Sequence, residues 1–149
     1  MFVPILLGSE SDKPHAEKIA KILNEYGVKS EIKALSAHKV PEKLVAFIQK
    51  MNQRDEAVVY VTIAGRSNGL SGCTAGSAIH PVIACPPFSD KADYLTNIHS
   101  SIQMPSDTPA ITVIDPQNAA MAVLRILALT DEKLKKRIEK HIREVKNKF

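Results

Sequence analysis

Three side chains suited to proton transfer and anion binding lie close together in Ser36-Ala37-His38-Lys39. Histidine is the side chain that most readily takes up and releases protons near neutral pH. The hydroxyl of Ser36 and the ammonium of Lys39 can hold a phosphate as a donor and a point charge. An apolar run precedes the segment and Pro41 can begin a helix after it. We therefore predict a loop in which His38 is an acid/base beside a phosphate. Taken alone, a histidine is more often an ordinary surface or structural residue, but the predicted place of His38 at a strand end reverses that preference.

A second polar loop is predicted in Gly8-Ser9-Glu10-Ser11-Asp12, between an apolar run and a helical pattern. Glycine lets the backbone approach a ligand closely, and the N–H groups of a helix start favour an anion. Gly8, Ser9 and Ser11 are thus candidate phosphate ligands, and Asp12 could accept from a sugar hydroxyl. An ordinary turn with a helix cap is the alternative. The loop is neither G-x-G-x-x-G nor a P-loop, so it does not indicate a dinucleotide or ATP.

A third loop, predicted over residues 64–72, combines three glycines with several hydrogen-bond donors. Such a composition suits a loop that wraps a polar ligand, although a solvated loop would need glycine too. The ligand-binding candidates here are Ala64, Gly65, Arg66, Ser67, Asn68 and Leu70. The pattern of His, Cys, Asp and Glu residues does not have metal-site spacing, and no covalent nucleophile is indicated.

Short apolar runs alternate with segments of helical periodicity along the chain. We interpret residues 2–7, 28–35, 57–63, 81–85 and 110–114 as strands. Helices are predicted over residues 11–26, 41–51, 73–79, 90–102 and 116–129, followed by a last helix that 130–132 can cap. This alternation predicts a doubly wound parallel sheet, an α/β sandwich of three layers in one domain over residues 1–149.

In such a sheet, ligands bind beyond the carboxyl ends of the strands. The three polar loops each follow a predicted strand, and they should therefore lie on one rim of the sheet. The chain is expected to bring a phosphorylated small molecule to His38 at that rim.

Composition argues against nucleic acid and membrane partners. The net charge of +4 lies in residues 131–149, and residues 1–130 are neutral. A neutral body with few aromatic residues is a poor match to a nucleic-acid-binding surface. The longest apolar run is too short to span a bilayer, and no cleavable signal is visible. Cys73 and Cys85 are expected to be free thiols in a cytoplasmic protein.

Taken together, the motifs resemble the PurE-type aminoimidazole ribonucleotide (AIR) carboxylases and mutases of purine biosynthesis. The resemblance rests on the G-S-x-S-D loop at residues 8–12 with the S-A-H-K loop at 36–39. It extends over residues 1–129 through Gln103-Met104-Pro105 to Asn118-Ala119-Ala120. The combination of the two loops is far more specific than either alone.

The resemblance implies a flavodoxin-like fold, chemistry on carbon 4 of the aminoimidazole without cofactor or metal, and active sites between subunits. It implies a homo-oligomer, usually an octamer, with a tetramer as the alternative. By carry-over, Gly8, Ser9, Ser36 and Lys39 would hold the ribotide phosphate. Asp12 and Ser11 would contact the ribose, and His38 would be the acid/base.

The family has two branches, and the loops favour one of them. Lys39 and the Arg66-to-Leu70 loop look like the branch that takes up carbon dioxide directly, class II PurE. The mutase branch, which moves a carboxyl group from the exocyclic nitrogen, has S-A-H-R-T-P and a second histidine in the third loop. Gln103-Met104-Pro105 looks like the mutase branch, and Val40 fits neither pattern. We therefore expect a direct AIR carboxylase, with the mutase as the alternative.

Two further expectations complete the picture. A flavodoxin-like binding module without catalytic activity is the alternative from another functional class. The loops, however, lack an aromatic side chain to stack on a flavin, and they lack a phosphoacceptor aspartate.

The last helix is basic with a narrow apolar stripe formed by Leu134, Ile138, Ile142, Val145 and Phe149. Because such a helix is not stable alone, we expect it to pack on a neighbouring subunit.

Overall fold

The computed structural model describes residues 1–149 and contains one five-stranded parallel sheet. Its strands, in chain order, are β1 (Phe2–Leu7), β2 (Lys29–Ala34), β3 (Tyr60–Ile63), β4 (Val82–Ala84) and β5 (Ile111–Thr112). Their order across the sheet is β2-β1-β3-β4-β5, and every neighbouring pair is parallel. This confirms the predicted doubly wound sheet.

Six helices connect and follow the strands. They are α1 (Lys13–Glu25), α2 (Pro41–Asn52), α3 (Gly69–Ser77), α4 (Lys91–Ile102), α5 (Pro116–Leu127) and α6 (Glu132–Lys146). One 3₁₀ turn, Glu10–Asp12, precedes α1. None of the helices is long and apolar enough to cross a membrane.

The register of the sheet brings the strand ends to one level. Leu7, the last residue of β1, lies opposite Ala34 on one side and Ile63 on the other. Ala84, the last residue of β4, lies opposite Thr62. The loops after β1, β2, β3 and β4 therefore leave the sheet side by side, as expected for parallel strands that end together.

Two apolar clusters cover the two faces of the sheet. The larger cluster contains the buried side chains of α1 and α5 with Leu134 and Ile138 of α6. The smaller cluster joins α2 and α3 through Leu44, Ile48 and Leu70. The alternating buried residues of β1 contribute to both clusters. The result is the predicted three-layer sandwich.

Two predicted boundaries are wrong by three residues or more. The central strand begins at Tyr60 rather than at residue 57, and Val58 contributes only an isolated bridge to Phe2. The predicted 64–72 loop ends at Asn68, because α3 already begins at Gly69. Glycine disfavours helix, so the composition of this segment hides its start. The Asn68 side chain caps the helix by accepting from the Ser71 N–H, and burial of one helix face offsets the weak propensity.

Docking of α6 on a neighbouring subunit is not shown, because much of its apolar stripe is already used within the same chain. Leu134 and Ile138 are buried in the larger core cluster, and Ile142 packs against it. The Arg137 guanidinium donates to the Glu25 carbonyl at the end of α1, at 2.7 Å, and lies over the Tyr26 ring. Val145 and Phe149 remain exposed at the end of the stripe.

Candidate active site

An open cavity of about 1160 Å³ lies at the carboxyl ends of the strands. The loops after β1, β2, β3 and β4 line it, together with the first turns of α4. Every site residue predicted from the sequence lines this cavity except Ser67, which is exposed outside it. The lining residues from the prediction are Gly8, Ser9, Ser11, Asp12, Ser36, His38, Lys39, Ala64, Gly65, Arg66, Asn68 and Leu70.

The first loop is a tight hydroxyl-bearing turn. The Ser9 Oγ accepts from the Ser11 N–H at 3.3 Å and from the Ser11 hydroxyl at 2.9 Å. A Cβ added at Gly8 would lie 3.1 Å from the Ala64 Cβ, so glycine lets the first and third loops run against each other. Both serines remain exposed, and their hydroxyls can donate to a ligand in the cavity.

Asp12 is half-buried at the start of α1, at the edge of the same cavity. Burial raises the pKa of its carboxyl, and the backbone of Ser9 acts in the opposite direction. A desolvated carboxylate gains by accepting hydrogen bonds from a ligand. Asp12 is therefore suited to accept from hydroxyl or amine donors.

The second loop presents His38 and Lys39 to solvent while the backbone closes a turn behind them. The Val40 N–H donates to the Ser36 carbonyl at 3.0 Å, and the Val40 carbonyl accepts from the first turn of α2. Pro41 follows as the first residue of that helix. This explains Val40 as the residue that joins the loop to α2, with no polar role required of its side chain.

His38 lies against the first residue of α3. A Cβ added at Gly69 would lie 2.9 Å from the His38 Nε2 and 3.0 Å from its Cε1. The ring thus occupies the space that any larger side chain at position 69 would need. Glycine at this point lets the imidazole lie against the start of α3, and a larger side chain would require the exposed ring to move.

Comparisons with known proteins show the family to which the chain belongs. The family model for AIR carboxylase matches residues 2–148. The chain belongs to the AIR carboxylase family. This confirms the resemblance that rests on the two polar loops.

Individual relatives carry the names of both branches. A phosphoribosylaminoimidazole carboxylase of Archaeoglobus fulgidus is 43% identical over 90% of this chain and 73% of its own length. An N5-carboxyaminoimidazole ribonucleotide mutase of Methanocaldococcus jannaschii is 40% identical over 97% of this chain and 90% of its own. The crystal structure of Treponema denticola PurE superposes with a TM-score of 0.94 at 39% identity, covering 99% of this chain and 92% of that one.

Sequence reasoning missed a fourth loop of this AIR carboxylase family member. The segment after β4 and the start of α4 also line the cavity, through Pro87, Ser89, Asp90, Ala92, Asp93, Thr96 and Asn97. The signal was present, because residues 81–85 were predicted as a parallel strand and its carboxyl end must lie on the same rim. Ala37 and Gly69 complete the lining.

Asn68 has a different environment from the one its loop position suggests. Its side chain is buried; its Oδ1 accepts from the Ser71 hydroxyl and its Nδ2 donates to the Ser101 Oγ, both at 2.8 Å. Ser71 in turn bonds the Thr62 hydroxyl at 2.8 Å. With both ends of its amide engaged, Asn68 holds the third loop in place.

The two cysteines are free thiols, as predicted, and neither lines the cavity. Cys85 is buried, and its Sγ lies 3.4 Å from the His15 Nε2. Burial raises the pKa of the Cys85 thiol to about 12 and lowers the pKa of His15. This pair is therefore uncharged at neutral pH.

Proposed function

We propose that this protein adds carbon dioxide to carbon 4 of 5-aminoimidazole ribonucleotide, giving 4-carboxy-5-aminoimidazole ribonucleotide without ATP. The observation that carries the proposal is one cavity, in a member of the AIR carboxylase family, lined by both the 8–12 and the 36–39 loops. These loops offer hydroxyl donors, a cation and an imidazole within reach of one bound ribotide. No group of three His, Cys, Asp or Glu side chains is placed to hold a metal ion.

The proposed binding mode follows from the charges that line the cavity. Ser36, Lys39, Gly8 and Ser9 hold the phosphate, since an anion gains from a point charge, hydroxyl donors and exposed backbone N–H groups. Asp12, with Ser11, accepts from the ribose hydroxyls. The base then extends towards His38 and the loop from Ala64 to Leu70.

The proposed chemistry needs one proton carrier. The aminoimidazole is an enamine, and its carbon 4 attacks the carbon of carbon dioxide to form the new C–C bond. Carbon 4 of the ring then bears both a hydrogen and the carboxylate, and the ring is no longer aromatic. Neutral His38 takes this proton, which restores the aromatic ring, and the imidazolium later gives the proton to solvent. The protein otherwise contributes by orienting the two reactants and excluding water.

The mutase is the second candidate. It is favoured by Gln103-Met104-Pro105 and by the mutase name of one relative at 40% identity. Lys39 and the Arg66-to-Leu70 loop support direct carboxylation.

Two parallel assays decide between the branches. The protein is incubated with the ribotide and labelled bicarbonate, without ATP, and the carboxylated product is counted. In the second assay the N-carboxylated ribotide is the substrate, and turnover is compared with its spontaneous decarboxylation. We expect product in the first assay and none above background in the second. Product only in the second assay would establish the mutase, and product in neither would refute both.

A cytoplasmic homo-oligomer, an octamer or a tetramer, completes the proposal. It is supported by the family relationship and by exposed apolar side chains on α4, Leu95 and Ile102. Sedimentation equilibrium measures the mass directly, and a monomer over the working concentration range would contradict it.

A further inference from the structure

One buried amide joins two of the loops that line the cavity. Asn97, in the second turn of α4, is 2% exposed. Its Oδ1 accepts the backbone N–H of Arg66 in the third loop, and its Nδ2 donates to the carbonyl of Pro87 in the fourth. Since one end of the amide needs a donor and the other an acceptor, the two bonds together determine its orientation.

The third loop is shaped to admit this amide. A Cβ added at Gly65 would lie 2.8 Å from the Asn97 Nδ2 and 3.1 Å from its Oδ1. Real Cβ atoms essentially never make contacts under 3.0 Å, so with asparagine at position 97 a larger residue at position 65 would force the amide to move. The contact explains Gly65 by close approach rather than by backbone freedom, because its φ is not positive.

Arg66, whose backbone N–H donates to Asn97, is held in an unfavourable conformation. Arg66 has φ of 56°, in the left-handed region that non-glycine residues rarely adopt. Its side chain is exposed and lines the cavity. A backbone held in this region needs support from its surroundings, and the bond to Asn97 supplies part of it.

The same helix also holds the end of the loop. Ser101, one turn after Asn97, accepts from the Asn68 amide and donates to the Asn97 carbonyl at 2.7 Å. The loop is thus fixed at Arg66 and again at Asn68, by neighbouring turns of α4. Gly69, the residue after Asn68, packs on the His38 imidazole, so the third loop lies between its contacts with α4 and His38.

We propose that Asn97 is a positioning residue of the active site, which sets the place of Arg66 and of the Pro87 loop relative to His38 without touching the substrate. Its kinetic consequence rests on the proposed function. Its structural consequence, the protection of the Arg66 amide, does not.

The first test needs no substrate. Hydrogen exchange of the Arg66 amide is followed by NMR in the wild type, in Asn97→Ala and in Thr112→Val. The last removes a bond from Thr112 Oγ1 to the Ser101 carbonyl on the same helix, at 3.2 Å, and leaves the amide clamp intact. We expect at least about tenfold faster exchange at Arg66 in Asn97→Ala only. Unchanged exchange there would overturn the proposal.

The second test reads activity. In Asn97→Ala we expect kcat/KM for the ribotide to fall by about 10- to 100-fold, as for a small misplacement of binding groups. The loss should lie mostly in KM, with the pH profile of kcat unchanged, because His38 keeps its own contacts. A loss no larger than that of Thr112→Val would overturn the positioning role. If the wild type has neither activity, the proposed function fails, and the exchange experiment still decides the clamp.

A variant on the other side of the contact guards against misfolding of Asn97→Ala. Gly65→Ala places a methyl group against the Asn97 amide and should also speed exchange at Arg66. Because Asn97→Ala makes room for that methyl, the double variant should be no worse than Asn97→Ala alone. Fully additive effects would show that the two residues act separately and would contradict the proposal.

Discussion

At the scale of single residues, the site depends on contacts that are nearly too close. His38 lies against Gly69 and the Asn97 amide lies against Gly65. In each case a methyl group added to the glycine would lie within 3.0 Å of the neighbouring side chain. Two residues identified from the sequence as polar ligands, Asn68 and Ser67, stand apart from the rest. The side-chain amide of Asn68 makes hydrogen bonds within the protein, and Ser67 lies outside the cavity.

Replacing His38 tests the proton carrier. His38→Asn keeps a polar side chain of similar size but cannot carry the proton, so kcat should fall by about 10²- to 10⁴-fold. The ribotide should still bind, since the phosphate contacts are elsewhere. Steady-state kinetics and calorimetric titration measure the two effects; retained turnover would contradict an acid/base role.

Gly69→Ala tests the position of the imidazole separately from its chemistry. The new methyl group would lie 2.9 Å from the His38 Nε2 and should displace the ring, lowering kcat. Fold stability should change little, because a gain in helix propensity of up to about 1 kcal/mol offsets the cost of moving the exposed ring. Gly72→Ala in the same helix is the matched control, since its methyl would meet only the flexible Met104 side chain, at 3.3 Å from Sδ. Equal activity of the two variants would refute the steric argument.

Asp12→Asn tests the balance between binding and stability. Because burial raises the pKa of Asp12, the folded protein binds this proton more tightly than the unfolded chain. The carboxylate therefore destabilises the fold above its unfolded pKa, an effect that disappears as the pH falls below that value. We expect Asp12→Asn to raise Tm at pH 7, to leave it unchanged near pH 3, and to weaken ribotide binding. A lower Tm at pH 7 would contradict this sign.

At the scale of elements, α6 packs much of its apolar stripe within its own chain, and its docking on a neighbouring subunit stays a prediction. The narrow apolar stripe required a surface to pack on, and the sequence pattern could not say whether that surface belonged to the same chain. Leu134 and Ile138 fill a groove in the larger core cluster, beside α1 and α5. The exposed basic face of the helix needs no partner of its own, because charged side chains are stable in water.

Truncating this contact gives a measurable cost. Ile138 is only 5% exposed, and Ile138→Ala should lower the unfolding free energy of the protein by about 2–4 kcal/mol. Val145→Ala on the same stripe, where the side chain is 40% exposed, should lose less than about 1 kcal/mol. Urea unfolding measures both. A large loss in the Val145 variant instead would indicate that the end of α6 is covered by another subunit.

At the scale of the whole molecule, apolar side chains remain on the surface of the single chain. Leu95 and Ile102, seven residues apart on α4, are about half exposed on one face of that helix. Phe88 and Tyr94 form an edge-to-face aromatic pair nearby in the chain, with ring centroids 5.2 Å apart. A surface of this kind fits the proposed homo-oligomer.

Charge placed on this face tests the assembly. We expect Leu95→Glu with Ile102→Glu to lower the mass found by sedimentation, because a buried unpaired carboxylate opposes association. Gln49→Glu, an exposed position on α2, is the control for added negative charge. An unchanged mass in the double variant would exclude this face of α4 from the interface.

Local patterns in the amino-acid sequence were enough to predict the alternating strands and helices, the parallel sheet, and the three loops that meet at its rim. These follow from local periodicity and from the fact that parallel strands end together. Only the folded structure shows where α3 begins, how α6 packs against its own chain and which loops the Asn97 amide joins. Arg66 and Asn97 are 31 positions apart, and Arg137 and Glu25 are 112 apart. Neither contact can be predicted from the local sequence pattern, because side-chain packing selects which of many compatible residues meet.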